Sequence, residues 1–249
     1  MTKENTFDEI YKAAIYSAIF NRRDIRSQFI AKPVEDDVLS KILLAAHHAP
    51  SVGFMQPWNF IVIKSQEIKS KIHDSFARAN EYSSAMFSET RRPVYENLKL
   101  QGILESPINI CVTCDKTRFG PTVIGRTTNP SMDEYSAVCA VENLWLAARA
   151  EGIGIGWVSI LYDDDIKLIL SLPKHVKPIA YLCLGYVTNF PDAPELETIG
   201  WLPRVKLEQL VYSEKWGNDC KSHLPELYSN IEKLDKTQMM TNDAHRLNR

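Results

Sequence analysis

The stretch YSAVCAVENLWLAARAEGIGIGWVSI, residues 135–160, decides the fold. Up to Ala150 it is apolar on nearly every side of a 3.6-residue period, which predicts a helix over 133–151 that is buried all round. Gly152 can take the left-handed conformation that ends a helix. The following GIGIGW is rich in glycine but runs into the β-formers of residues 155–160, so it leads into a strand. A dinucleotide fingerprint needs the reverse order, strand into glycines into helix. A helix with no polar face must be covered on every side, by its own domain or by a second subunit.

Working outward, residues 59–64, 108–114, 155–160 and 179–187 are short runs of β-branched and aromatic residues bounded by Pro, Gly or polar residues, and predict four strands. Residues 7–20, 35–49 and 66–90 have helical composition. The second of these begins in acidic residues and can gather Val38, Ile42, Leu43, Ala45 and Ala46 on one face. Helices alternating with strands predict a layered domain with both faces of its sheet covered. The expected organisation is one domain over 1–217, followed by a polar tail over 218–249 that lacks a sustained pattern. Residues 76–106 are long and amphipathic with Pro93 inside. They read equally as a lid over a pocket, with Met86 among its apolar contacts, or as a surface helix pair.

Composition narrows the function. With 29 basic and 31 acidic residues the formal net charge is -2, which offers no general attraction to nucleic acid or to anionic lipid. No apolar run approaches the roughly 18 residues of a membrane helix, and the first residues show no secretory pattern, so the expectation is a cytoplasmic protein acting on a small molecule. Five cysteines, an odd number, argue against a disulfide framework. Cys111 and Cys114 lie three apart on a predicted strand, hence on opposite faces, and His47 and His48 lack companions at ligand spacing, so no metal site is expected. Phosphate-loop, zinc-protease and serine-hydrolase motifs are absent.

Two segments carry chemistry. NRRDIRSQF, residues 21–29, sets Asp24 among Arg22, Arg23 and Arg26, and a carboxylate there would weaken an anion site unless something else requires it. APSVGFMQPWNF, residues 49–60, places Ser51 and Gly53 in a tight loop before a strand, with Gln56 and Trp58 available to a planar ligand. Alone, the first reads more readily as a solvated helix end, and the second reads also as a plain helix-to-strand connection.

Together RRDIR, APSVGFMQPW, the helix ending ARAEGIG and the strand GWVSI resemble, in order and spacing, the flavin-dependent nitroreductase superfamily over residues 15–217. The resemblance implies an α+β fold, an α/β/α layered domain with a central mixed sheet, and a homodimer binding FMN at the subunit interface. Within it, HHAPSVGFMQPW, ICVTCD and NLWLAARAEG are similar to the branch of 5,6-dimethylbenzimidazole synthases. Ordinary nitroreductases usually have Ser where this chain has Asp24, and Asn near Phe54. The branch resemblance implies oxygen-dependent fragmentation of reduced FMN to 5,6-dimethylbenzimidazole and erythrose 4-phosphate, with the flavin as substrate and dioxygen as co-substrate.

Carried over by position, Arg22, Arg23, Asp24, Ile25 and Arg26 would line the ribityl and phosphate end, with Arg204 as an added phosphate contact. Ser51, Gly53 and Gln56 would lie near the ring, and Met86 in the lid. Asp24 would act as a base on the ribityl chain and Ser159, on the GWVSI strand, as hydrogen-bond partner or proton relay at the ring. Reduced FMN would come from a separate NAD(P)H:flavin reductase. An ordinary FMN nitroreductase or flavin reductase, and a non-enzymatic flavin-binding protein, are the alternatives.

Overall fold

The computed structural model describes residues 6–235, which divide into two compact units, residues 6–190 and 191–235. The first unit holds helices α1 (Glu9–Asn21), α2 (Asp36–His47), α3 (Gln66–Ala85), α4 (Arg92–Glu96), α5 (Met132–Ala150) and α6 (Asp163–Ile169) and strands β1 (Trp58–Ile63), β2 (Ile108–Asp115), β3 (Ile153–Val158) and β4 (Val176–Tyr186). The strands form one sheet in the order β1-β2-β4-β3. All three pairings are antiparallel, which corrects the expected mixed sheet. The parallel pairing among the described residues is an isolated bridge between Asp24 and Ile155, because the chain before α2 runs alongside β3 in the same direction without becoming a strand itself.

Period-two alternation sends the side chains of β2 into two cores. Ile108, Ile110, Val112 and Cys114 join Leu39, Ile42 and Ala46 of α2 and Ala137, Ala140, Leu144 and Ala148 of α5. Cys111 joins Ile72 and Phe76 of α3 and Ile166 of α6 on the other face. The two thiols thus sit on opposite faces as their spacing predicts, and burial pushes both up to about 12, which keeps them protonated. His47, on the α2 side, accepts through Nδ1 from Trp58 Nε1 at 3.2 Å. The α5 helix ends at Ala150 with Glu151 as its C-cap, and Gly152 at φ 74° lies just beyond, as the sequence suggests.

The second face buries a lysine. Lys69 of α3 is fully buried, and its Nζ donates to the carbonyls of Ser106 (2.7 Å) and Pro107 (3.0 Å). Burial lowers its pKa. Those carbonyls end a turn that packs on the candidate site, since a Cβ on Gly102 would come 2.7 Å from the Arg26 carbonyl oxygen and from the Phe29 ring.

Several boundaries differ from the sequence expectation. α3 stops at Ala85, and Pro93 lies in the first turn of α4, where its missing N–H has no partner to lose. β3 starts at Ile153 and ends at Val158, so Ser159 lies just past the strand and is exposed. α5 is covered on most sides, but Tyr135 and Val138 stay 57% and 42% exposed, and α1 has no buried residue at all.

The second unit contains α7 (Glu195–Thr198), a bridge between Tyr212 and Asp219, and α8 (Cys220–His223), which Asp219 caps. Residues 225–235 are helical, where a loose tail is expected from the polar composition; residues 236–249 of that tail lie outside the described residues. Among the described residues no helix is long and apolar enough to cross a membrane.

Candidate active site

Asp24 and its neighbours follow α1 as extended chain laid against β3. Ile25 N–H donates to the Ile155 carbonyl at 2.8 Å, and the Asp24 carboxylate accepts the Trp157 N–H through Oδ1 at 2.9 Å. The approach is closest at Gly156, where a Cβ would lie 2.0 Å from the Ile25 carbonyl oxygen, so any side chain there would displace the segment. The glycines of GIGIGW therefore make room for a crossing chain.

Among the arginines, Arg26 Nη2 meets Asp24 Oδ2 at 2.5 Å, with the two side chains 10% and 32% exposed. Arg23 turns its Nη1 to the carbonyls of Phe20 and Arg22, both at 2.7 Å. Arg22 stacks its guanidinium 4.9 Å from the Trp145 ring centre and lies 3.9 Å from Glu142. Ile25 is wholly buried. Three guanidinium groups and one carboxylate leave a formal surplus of two positive charges in five residues, a donor set chemically suited to a phosphate dianion. The carboxylate is held from two sides, by Arg26 and by the Trp157 N–H, which fixes its direction.

The second predicted segment is a turn built from unusual backbone. Gly53, Phe54 and Gln56 have φ of 59°, 52° and 43°, and Ser51 Oγ accepts the Gln56 N–H at 3.2 Å. A Cβ on Gly53 would meet Ile124 O and Val123 Cγ1 at 2.7 Å, so the close approach that demands glycine here is to residues 123–124 of the same chain. Sequence reasoning missed that partner loop.

Ser159 opens into a cleft of about 200 Å³ with Trp157, Leu161, Asp163 and Tyr181 in its walls. Asp24 and Ser159 are linked through β3, since Asp24 holds the amide of Trp157, two residues before the serine. Met86 caps α3 and is 67% exposed. A groove of about 470 Å³ between α3 and α4, lined by His73, Phe76, Asn80 and Arg92 among others, occupies the segment expected as a lid. Arg204 belongs to the second unit, is exposed, and its backbone N–H donates to Glu197 Oε1 at 3.5 Å.

The model of the nitroreductase family matches residues 19–186, a span that contains the sheet, α2 to α6, Asp24 and Ser159. The chain belongs to the nitroreductase family. Among curated nitroreductase-family relatives it is 36% identical over 198 residues to a 5,6-dimethylbenzimidazole synthase of Rhodospirillum rubrum, covering 80% of this chain and 93% of that protein. It is 29% identical to a 5,6-dimethylbenzimidazole synthase of Rhodobacter capsulatus, covering 81% and 97%. Two solved structures share the fold: a BluB-like flavoprotein from Clostridium difficile 630 (TM-score 0.62, 21% identity, 81% of this chain and 99% of that one) and an iodotyrosine deiodinase bound to FMN and 3-iodo-L-tyrosine (TM-score 0.63, 18% identity, 81% and 98%).

Proposed function

We propose that this protein is a 5,6-dimethylbenzimidazole synthase that fragments reduced FMN with dioxygen, releasing the benzimidazole and erythrose 4-phosphate. The observation that carries this reading is the 36% identity to the Rhodospirillum rubrum synthase across nearly the whole of that protein. Further support comes from the three arginines around Asp24, a donor set suited to phosphate, and from the carboxylate held by Arg26 and the Trp157 N–H. Bound in reduced form, the flavin supplies electrons to dioxygen and is itself the material that is cut.

In this reading Arg22, Arg23 and Arg26 hold the phosphate end. A guanidinium carries five N–H donors, so the same Arg26 can serve both Asp24 and a phosphate oxygen. Asp24, steadied by Trp157 N–H and Arg26, accepts a proton from a ribityl hydroxyl. Ile25 packs beneath it. Ser51, Gly53 and Gln56 border the ring, and the Ser159 hydroxyl donates to it or passes a proton. Residues 76–106, with Met86, exclude water when they close.

A homodimer completes the site. Its support is the apolar surface of α1, where Ile10 and Tyr11 are 79% and 62% exposed, together with Tyr135 and Val138 of α5. A separate flavin reductase in the cytoplasm delivers the reduced substrate. The test is incubation of the protein with reduced FMN in air, followed by chromatography. 5,6-Dimethylbenzimidazole is the expected product; oxidised FMN recovered intact, with NAD(P)H turnover, assigns the protein to ordinary flavin reduction.

A further inference from the structure

The turn at residues 51–57 places three of four consecutive positions, 53, 54 and 56, in the left-handed region, and two of these are not glycine. Such backbone persists where surrounding structure over-determines it. Its restraint comes from the loop between β2 and α5. Arg118 reaches across with a fork: Nη1 donates to the carbonyls of Gln56 (3.0 Å) and Trp58 (3.4 Å), and Nη2 to Asn59 Oδ1 (2.5 Å). The left-handed residue is thus gripped by its own carbonyl, and the grip is anchored at the start of β1. The loops also interlock through glycine, because a Cβ on Gly125 would lie 2.3 Å from Val52 Cγ1. Arg126, itself buried, donates to the Arg118 carbonyl at 3.3 Å and fixes where the fork starts.

We infer that Arg118 is a positioning residue: by binding the Gln56 carbonyl it holds Gln56 left-handed and sets where the 51–57 turn meets the flavin ring. This rests on the proposed placement of that turn. Because the effect is at the ring end, Arg118→Met should weaken riboflavin and FMN by the same factor, about tenfold, as expected for losing a charged donor to a carbonyl. It should also shift the visible absorption of the bound flavin. Arg118→Lys, which keeps a charged donor, should recover part of the affinity and move the spectrum back.

Binding of both flavins is titrated in parallel with thermal unfolding, with Gln56→Ala as companion. If Gln56→Ala changes affinity and spectrum while Arg118→Met leaves both at parent values, the turn is at the ring and the role of Arg118 is refuted. If neither variant changes them, the turn is not at the ring, and the placement falls together with the inference. An FMN loss far larger than the riboflavin loss would put Arg118 at the phosphate and overturn the inference. Should Arg118→Met fail to fold, Arg118→Lys is read by the same criteria: an equal, smaller loss for both flavins supports the role, and parent-like binding with a parent-like spectrum refutes it.

Discussion

Residues 22–26 and residues 51–57 are both irregular segments next to a strand, yet they are held by opposite means. The first is held through charge and backbone pairing: Asp24 lies between Arg26 and the Trp157 amide, on chain hydrogen-bonded to β3. The second is a neutral turn in unfavourable backbone, held by glycine interlock and by the Arg118 fork. A charged segment can give and take protons and ions at little structural cost. A strained neutral turn can only present a shape. On the proposed function, chemistry belongs to the first and fit to the second, and each of four substitutions tests that division.

The largest effect is expected for Asp24→Asn. It keeps the shape and hydrogen-bonding reach but removes the basicity, so reduced FMN should bind and be reoxidised while benzimidazole formation falls by about 100-fold or more. Near-normal yield in the chromatographic assay would remove Asp24 from the chemistry. Unfolding or loss of all flavin binding would make it a structural partner of Arg26.

Arg26→Ala comes next. FMN binding should weaken by about 2 to 4 kcal/mol, with a smaller loss for riboflavin, because the phosphate contact is charge-assisted. Equal losses by titration would show that Arg26 serves Asp24 alone.

In the turn, Gly53→Ala should act on stability first. The residue would need a left-handed conformation and would press on Ile124 O, so unfolding should become easier by about 2 to 3 kcal/mol, read from the urea midpoint. Unchanged stability would mean that the interlock with residues 123–124 is loose.

The smallest effect has the most diagnostic sign. Gln56→Gly relieves the left-handed backbone at φ 43° but loosens the unfolded chain, so stability should rise slightly, by about 0.5 kcal/mol, while flavin binding weakens. Stability and binding moving together would contradict a turn strained for the sake of fit.

How much of this was legible in the sequence differs between the same two regions. The all-round apolar pattern of residues 135–150 yields α5 to within one residue, and alternation on β2 correctly separates Cys111 from Cys114. The start of β3 was misplaced because Gly154 and Gly156 look like loop residues. They are strand residues whose missing Cβ atoms admit Ile25, a fact about a segment some 130 positions away. At its other end the expected strand runs on to residue 160, two beyond the observed end, and so includes Ser159. Arg118 escaped notice since a surface-type residue in an aperiodic loop carries no pattern, although Gly120 and Gly125 nearby, both at positive φ, signalled a shaped loop. Lys69 was hidden for the converse reason: it is a lysine in a helix of polar composition, and only the turn above it makes it a core residue.

The crossing of residues 24–25 over β3 has a consequence for solubility. β3 is an outer strand of the sheet, and an outer strand with bare amides and carbonyls invites pairing with another molecule. Here the Ile155 carbonyl and the Trp157 amide, both on that outer side, are already occupied by Ile25 and Asp24. The residues proposed to handle substrate therefore also protect this edge of the sheet against pairing with another molecule. Substitutions that detach them, such as Gly156→Val, would be lost as insoluble protein during expression before any defect in turnover could be measured.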